Sequence, residues 1–318
     1  MNVYVAEALA AGGSLRQTDE ERIGRASTRA RRVTMSDQTM DRADLEASFA
    51  SNQRLWDAWT KVHAEGEFYD VAGFREGGVR IRPYEIEALG DVTGKTLLHL
   101  QCHFGLDTLS WARLGAKVTG ADFSHAAIGL ARELAADTGF PDARFIESNI
   151  YQLPLRLGDE FDIVYTSRGV LGWLPDIRGW ARVVARFVKP GGRFYISEAH
   201  PVLQVFESEG VSPRELRLQY PYWEHGDPLI FDVHGSYADP TADLGAEHQE
   251  HGWDHGLGEI VTALIDAGLR IERFEEQPFL EWQVDFLVEE APGSDRWVLP
   301  DGPGELPLMF SLLASKPG

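Results

Sequence analysis

Residues 97–122 read LLHLQCHFGLDTLSWARLGAKVTGAD, and this stretch decides the fold. An apolar run enters a short loop at residues 101–105. A helix is then predicted from Leu106 to Leu114, with Gly115 as its C-terminal stop. A second apolar run ends in Asp122. The pattern is that of a strand–loop–helix–strand unit, which is typical of nucleoside sites: the loop and the helix N-terminus face the ligand, and the acid accepts hydrogen bonds from ribose hydroxyls.

The loop itself departs from the glycine pattern of a dinucleotide site. Such a site needs G-x-G-x-x-G, because glycines let the backbone approach a pyrophosphate. Here only Gly105 remains, and Gln101 and His103 stand at the other two glycine-like positions. Asp122 follows Gly105 at close to the separation of roughly 20 residues that nucleotide sites show. These residues favour S-adenosylmethionine, which presents an adenosine and a charged amino-acid tail but no pyrophosphate.

At these residues the chain resembles the class I S-adenosylmethionine-dependent methyltransferases, whose first motif usually reads D-x-G-x-G-x-G. The string LLHLQCHFGLDTLSWARLGA is similar to a bacterial subgroup of small-molecule methyltransferases with an H-L-Q-C-H-F-G first motif. The resemblance extends from about Trp56 to the C-terminus. It implies S-adenosyl-L-methionine as the methyl donor and a small-molecule acceptor. His99 stands where most relatives have an acid that helps to hold the methionine amino group.

Beyond this unit, strands and helices alternate along the chain. The alternation predicts an α/β fold with a doubly wound, Rossmann-like sheet. The first five strands are expected at residues 96–101, 117–121, 144–147, 161–166 and 193–198. Two further strands are expected at 269–275 and 306–315, and the resemblance implies seven strands with the last one antiparallel.

The chain is predicted to have three parts. Residues 1–44 are read as a disordered tail, within which Met35 is an alternative to Met1 as the natural start. Residues 45–200 and 255–318 form the methyltransferase core, with an N-terminal lid helix at 45–61. Residues 201–254 are rich in aromatics and turn formers, and they are read as a substrate-side insertion with a hairpin at Leu229–Val233.

The candidate cofactor-binding residues follow the carboxyl ends of the strands, where ligands of open α/β sheets bind. Asp122 is expected to bind the ribose, with Phe123 beside the adenine. Asn149 stands where the family usually has an Asp, and its amide can accept a hydrogen bond from the adenine amino group. The full predicted set is Gln101, Cys102, His103, Gly105, Asp122, Phe123, Asn149, Ile150 and Thr166.

The predicted reaction is an in-line displacement at the methyl carbon, which depends on proximity and the exclusion of water. A base is needed only if the acceptor must lose a proton. His200, after the fifth strand, is the first choice for that base because imidazole titrates near neutral pH. Glu198 is expected to orient His200 or to bind a cationic acceptor.

A metal is not predicted. His248, His251 and His255 have a helix-like spacing that would suit one, but no Cys joins them and the segment is rich in loops.

Composition limits the partners. The net charge of −20 disfavours nucleic acid. No apolar run approaches the roughly 20 residues that a membrane-spanning helix needs. The single cysteine, Cys102, excludes an internal disulfide and agrees with a reducing cytoplasm. The oligomeric state is not indicated.

Two rival functions stay open: a nicotinamide-dependent oxidoreductase on the same sheet, and a protein that binds S-adenosylmethionine without methylating or without catalysis.

Overall fold

The computed structural model describes residues 42–208, 210–213, 215–223, 226–300 and 306–318. The predicted tail, residues 1–44, lies outside the described residues except for its last three, which begin the first helix. Within the part of the chain that is described, no helix has the length and apolar character required to span a bilayer.

A seven-stranded sheet forms the centre of the molecule, in the order β3-β2-β1-β4-β5-β12-β8. In chain order the strands are β1 (Thr96–Leu100), β2 (Lys117–Asp122), β3 (Arg144–Glu147), β4 (Phe161–Thr166), β5 (Val188–Ala199), β6 (Leu229–Val233), β7 (His248–Gly252), β8 (Arg270–Gln277), β9 (Phe279–Leu280), β10 (Val288–Glu289), β11 (Trp297–Val298) and β12 (Met309–Ser315). The first five strands pair in parallel, whereas β12 is antiparallel to both β5 and β8. The predicted doubly wound sheet with an antiparallel last strand is therefore confirmed.

Helices cover both faces of this sheet. They are α1 (Arg42–Glu65), α2 (Val71–Arg75), α3 (Pro83–Leu89), α4 (Leu106–Arg113), α5 (His125–Asp137), α6 (Ile177–Phe187) and α7 (Leu257–Asp266). Buried side chains of α3, α4 and α5 pack in two clusters on one face, and those of α6 and α7 pack on the other. Because both faces are covered, β1 reads as an almost continuous apolar run.

The winding direction reverses next to β1, which lies between β2 and β4. From β1 the chain builds the sheet outward through β2 to β3, and later through β4 to β5. In sheets of this kind the reversal leaves a crevice beyond the carboxyl ends of the strands, and ligands bind there.

Helix α1 and the hairpin of β6 and β7 form a second layer outside the sheet. The predicted hairpin strand Leu229–Val233 pairs antiparallel with His248–Gly252. The side chain of Asn52 on α1 both donates to the carbonyl of His251 and accepts from its N–H, at 2.8 and 2.9 Å. Trp59 on α1 donates its indole N–H to the carbonyl of Gly235 at 2.8 Å. Helix α1, the predicted lid, is thus joined to the backbone of the predicted insertion by hydrogen bonds.

The helix-like spacing of three histidines does not correspond to a helix. His248 and His251 lie on β7, and His255 lies in the loop before α7. Among the residues that the structure describes, no group of three or more His, Cys, Asp or Glu side chains is arranged to hold a metal ion.

Candidate active site

A cavity of about 1140 Å³ lies beyond the carboxyl ends of β1, β2 and β4. Small-molecule sites usually enclose roughly 300–1,000 Å³, so the volume of this cavity lies just above that range. We call the side formed by the strand ends the floor, which comprises Gln101–Gly105, Asp122–Phe123, Ser148–Ile150 and Ser167–Val170. We call the side formed by α1 and the segments packed on it the roof. Trp56, Tyr69 and Tyr237 of the roof line the cavity, whereas His63 and Ser236 of the roof are fully buried and do not line it.

The loop after β1 has an unusual backbone. Gln101, His103 and Gly105 all have positive φ, at 58°, 49° and 82°. Two of the three are not glycine, and such residues are uncommon in this region and cluster at functional sites. A Cβ on Gly105 would lie 2.7 Å from the ring of Phe145, so only glycine fits that position without a shift. Helix α4 begins at the next residue, so the loop and the helix N-terminus face the cavity together.

Asp122 ends β2 and is buried at the floor. One carboxylate oxygen accepts from the backbone N–H of His103 at 2.8 Å, and the other accepts from the N–H of Ser124 at 2.9 Å. Burial raises the pKa of Asp122 to about 6, while these backbone hydrogen bonds act to lower it. Each oxygen of an ionised carboxylate has two lone pairs, so a second one remains on each for a ligand hydroxyl. The N-cap of the following helix is Ser124, which leaves Asp122 free of that task.

Phe123, Asn149 and Ile150 form the part of the floor beside Asp122. The amide oxygen of Asn149 accepts from the N–H of Tyr151 at 3.0 Å and caps a short helical turn, which fixes the side chain. Gln53 of α1 donates to the carbonyl of Phe123 at 2.6 Å. This hydrogen bond, which the sequence did not indicate, joins α1 to the predicted adenine side of the floor.

Most of the predicted cofactor residues line this one cavity. They are Gln101, Cys102, His103, Gly105, Asp122, Phe123, Asn149 and Ile150. Thr166 is different, because the last residue of β4 is fully buried and its side chain does not line the cavity. Ser167 and Arg168, the next two residues, line it instead.

Glu198 was predicted to orient His200 or to bind a cationic acceptor, but its carboxylate is directed at the backbone instead. One of its carboxylate oxygens accepts from the N–H groups of Gly169 and Ala199, at 2.6 and 2.7 Å. The other accepts from the N–H groups of Val170 and Leu171, at 2.7 and 3.1 Å. Four backbone donors thus occupy the carboxylate, and its observed contacts are those that shape the loop after β4.

His200 also lies away from the cavity, contrary to prediction. Its backbone N–H pairs with Leu308, and its Nδ1 accepts from the N–H of Val202 at 3.1 Å. Its Nε2 lies 3.1 Å from a carboxylate oxygen of Glu276 on β8. Burial lowers the pKa of His200, and Glu276 opposes that effect. The ring therefore points across the neighbouring strands rather than into the acceptor space.

The roof contains a series of hydrogen-bonded side chains that was not predicted from the sequence. His63 Nδ1 lies 2.9 Å from His103 Nε2, and His63 Nε2 lies 2.6 Å from the hydroxyl of Ser236. Burial lowers the pKa of His63 to about 3 and lowers that of His103 well below its usual value, so both rings are neutral near pH 7. The hydroxyls of Tyr69 and Tyr237 contact each other beside this chain. The roof is thus aromatic, polar and uncharged.

A buried charged cluster forms the wall near β4, and it too was not predicted. Arg168 contacts Glu85 and Glu281, each at 2.5 Å, and Asp107 at 3.7 Å. The hydroxyl of Tyr165 donates to Glu85 at 2.7 Å. These residues come from α3, α4, the end of β4 and the segment after β9, and no short motif joins them.

Comparison with known proteins agrees with this geometry. Residues 98–196 match the family described as the methyltransferase domain. These residues are a methyltransferase domain. The match runs from β1 into β5, and it contains the loop after β1 and Asp122. The predicted family is therefore confirmed, whereas the narrower subgroup with the H-L-Q-C-H-F-G motif stays a prediction.

Curated relatives of this methyltransferase domain include two bacterial enzymes. The chain is 30% identical over 158 residues to the ubiquinone biosynthesis O-methyltransferase of Photorhabdus laumondii, which covers 50% of this chain and 61% of the relative. It is 30% identical over 166 residues to that of Aeromonas salmonicida, covering 51% of this chain and 63% of the relative. The chain thus spans less than two thirds of the length of these relatives.

The fold has solved counterparts. A Listeria monocytogenes protein assigned as an S-adenosylmethionine-dependent methyltransferase aligns with a TM-score of 0.51 and 21% identity, over 74% of this chain and 97% of that chain. At this identity the likeness supports the fold alone.

Proposed function

We propose that this protein transfers the methyl group of S-adenosyl-L-methionine to a small-molecule acceptor, by in-line displacement at the methyl carbon. One observation carries the proposal. The carboxylate of Asp122 is held at the end of β2, in contact with a loop whose positions 101, 103 and 105 all have positive φ, inside a methyltransferase domain.

The floor fits the adenosine part of this cofactor. The unused lone pairs of Asp122 suit two ribose hydroxyls, and apolar Ile150 and the ring of Phe123 suit the adenine faces. Gln101 and His103 crowd the loop where a dinucleotide site has glycines, which disfavours a pyrophosphate. When bound, S-adenosylmethionine supplies a methyl group that is already activated by a positively charged sulfur.

The chain's own contribution is to bind, orient and exclude water. The floor holds the donor, and the roof closes over the loop after β1 through the ring of Trp56, which lies 5.0 Å from that of His103. Nδ1 of His103 is buried and has no hydrogen-bond partner among the described residues. Because the ring is neutral, this atom replaces His200 as our candidate to accept a hydrogen bond from a ligand.

Outside the charged cluster, the aromatic side chains that line the cavity favour a flat, largely apolar acceptor. Beyond the floor the cavity is lined by Trp56, Phe68, Tyr69, Trp173, Tyr237, Trp282, Phe286 and Trp297. Because the curated relatives are named as O-methyltransferases, an oxygen acceptor is the first to test. The net charge of −20 argues against a nucleic-acid acceptor. The buried free thiol of Cys102 supports a reducing, cytoplasmic setting.

Calorimetry followed by mass spectrometry tests the proposal. We expect S-adenosylmethionine and S-adenosylhomocysteine to bind and NAD not to bind. Incubation with methyl-deuterated S-adenosylmethionine and a panel of phenols and catechols should then yield a deuterated methyl ether. Binding of NAD in their place would support the oxidoreductase alternative. Cofactor binding with no methylated product from any acceptor pool would support a protein that binds the cofactor without methylating.

A further inference from the structure

The charged cluster at the wall has more carboxylates than cations. Arg168 contacts Glu85, Glu281 and Asp107. Arg82 lies 3.3 Å from Glu281. The side chains of Glu85 and Glu281 are 0% and 5% exposed, so their charges are held out of water and need close partners.

The surrounding guanidinium groups do not remove the imbalance. Arg82 also contacts Asp295 at 3.0 Å, and Arg80 contacts Asp70 at 3.6 Å. Asp295 and Asp70 are 78% and 53% exposed, so water solvates their charges, and in the buried part of the cluster the guanidinium groups of Arg168 and Arg82 are set against the carboxylates of Glu85, Glu281 and Asp107. Of these three buried carboxylates, Asp107 has the most distant partner, at 3.7 Å, and that partner is already shared with the two nearer carboxylates.

Asp107 is also the member of the cluster that comes from the loop-and-helix unit of the floor. It is the second residue of α4, it follows the loop after β1, and it lines the cavity. Its side chain is 18% exposed. Burial raises the pKa of Asp107 to about 6, and Arg168 acts to lower it. A ligand cation placed beside this carboxylate would both ionise it and complete the cluster.

His99 supplies neither a positive nor a negative charge at this part of the cavity. It is buried, its Nδ1 lies 2.8 Å from the hydroxyl of Thr108, and its Nε2 lies 3.0 Å from the hydroxyl of Ser167. Burial lowers the pKa of His99 to about 3, so the ring is neutral and both its nitrogens are engaged. The acidic group nearest to it along the chain that lines the cavity is Asp107.

We propose that Asp107 binds the ammonium group of the amino-acid tail of S-adenosylmethionine, with the Arg168 cluster fixing its carboxylate. The assignment rests on the proposed function. Asp122 would hold the ribose on the β2 side of the loop after β1, and Asp107 would hold the tail on the β4 side. One carboxylate at the end of β2 and one in the first turn of α4 would then bind the two ends of the same ligand.

Calorimetry on the full chain tests this with two ligands that differ in the tail. S-adenosylhomocysteine has the ammonium, and 5′-methylthioadenosine lacks the whole amino-acid group. Asp107→Asn should weaken binding of S-adenosylhomocysteine about 10- to 100-fold, the range expected for a lost charge-assisted hydrogen bond. Binding of 5′-methylthioadenosine should change less than about threefold, because its remaining contacts are made at the other end of the floor.

Matched variants control for side effects. Asp122→Asn should weaken both ligands, and Asp137→Asn, at an exposed ion pair with Arg75, should weaken neither. On the wild-type chain, a deaminated analogue of S-adenosylhomocysteine should bind about as weakly as S-adenosylhomocysteine binds to Asp107→Asn. This measurement decides the question even if that variant does not fold.

The contrary outcomes are distinct. Unchanged binding of S-adenosylhomocysteine to Asp107→Asn, or full affinity of the deaminated analogue for the wild type, would overturn the assignment and leave the proposed function standing. Equal losses for both ligands in Asp107→Asn would show a merely structural role and would also overturn it. A wild-type chain that binds neither ligand would overturn the proposed function itself.

Discussion

The floor and the roof of the cavity are built in different ways. The half of the floor that contains Asp122 comes from one local unit: a strand, a loop and a helix start place Gln101–Gly105, and the next strand ends in Asp122. The roof joins residues that are far apart, since His63 reaches Ser236 across 173 positions. A local unit can be encoded by a short pattern, whereas a surface assembled from distant segments depends on the whole fold. We therefore expect floor variants to lower the affinity for the cofactor and roof variants to lower mainly the free energy of unfolding.

Asp122→Ala should give the largest effect on the floor. Removing a buried carboxylate that binds ligand hydroxyls should weaken S-adenosylhomocysteine by about 2 kcal/mol, or roughly 30-fold. Calorimetry at pH 7 measures the loss, and circular dichroism checks that the variant is folded. Unchanged affinity would remove the ribose role from Asp122 and, with it, the functional difference between floor and roof.

The pH dependence of binding should show a smaller effect at the same residue. Burial raises the pKa of Asp122 to about 6, so its carboxylate takes up a proton as the pH falls through that value. If ribose binding needs the ionised form, the affinity for 5′-methylthioadenosine should fall about tenfold from pH 7 to pH 5. The probe lacks an ammonium, so the titration of Asp107 contributes little. A profile as steep in Asp122→Asn as in the wild type would assign the titration to another group.

The sequence predicted the fold and the floor because both follow from local patterns. The apolar runs are separated from Gly105 and Asp122 by the spacing that is typical of a nucleoside-binding unit. This spacing is enough to place these residues at one edge of the sheet. Thr166 was misplaced by one residue, because strand ends alternate between inward and outward side chains. The predicted base failed for another reason: the direction of His200 depends on its pairing with Leu308 and its contact with Glu276, which no local pattern reports.

One feature of the sequence could have revealed part of the roof. Trp56, Trp59 and His63 are spaced three and four residues apart on α1, so they share a helix face. His63 is therefore expected to be buried beside Trp59, as the structure shows, whereas Trp56 is half-buried. Its partners His103 and Ser236 come from a loop and from the insertion, and a helix pattern gives no information about them.

Ser236→Ala tests the roof with a modest change. The substitution removes the hydroxyl that contacts His63 Nε2 and should lower the free energy of unfolding by about 1 kcal/mol. Thermal unfolding followed by circular dichroism measures the loss. The affinity for S-adenosylhomocysteine should stay within about twofold of the wild type, because the floor is untouched. A loss of affinity as large as that of Asp122→Ala would show that roof and floor act as one unit.

His200→Ala should have the smallest effect on catalysis. The ring faces Glu276 rather than the cavity, so its removal takes no group away from either ligand. We expect initial rates with the best acceptor of the phenol panel, and the affinity for S-adenosylhomocysteine, to stay within about twofold of the wild type. His103→Asn is the matched comparison, because that side chain lines the cavity, and it should lower the rate more. If His200→Ala lowered kcat strongly with cofactor affinity unchanged, the base would lie at the end of β5 after all, and the cavity described here would have to open toward β8 during turnover.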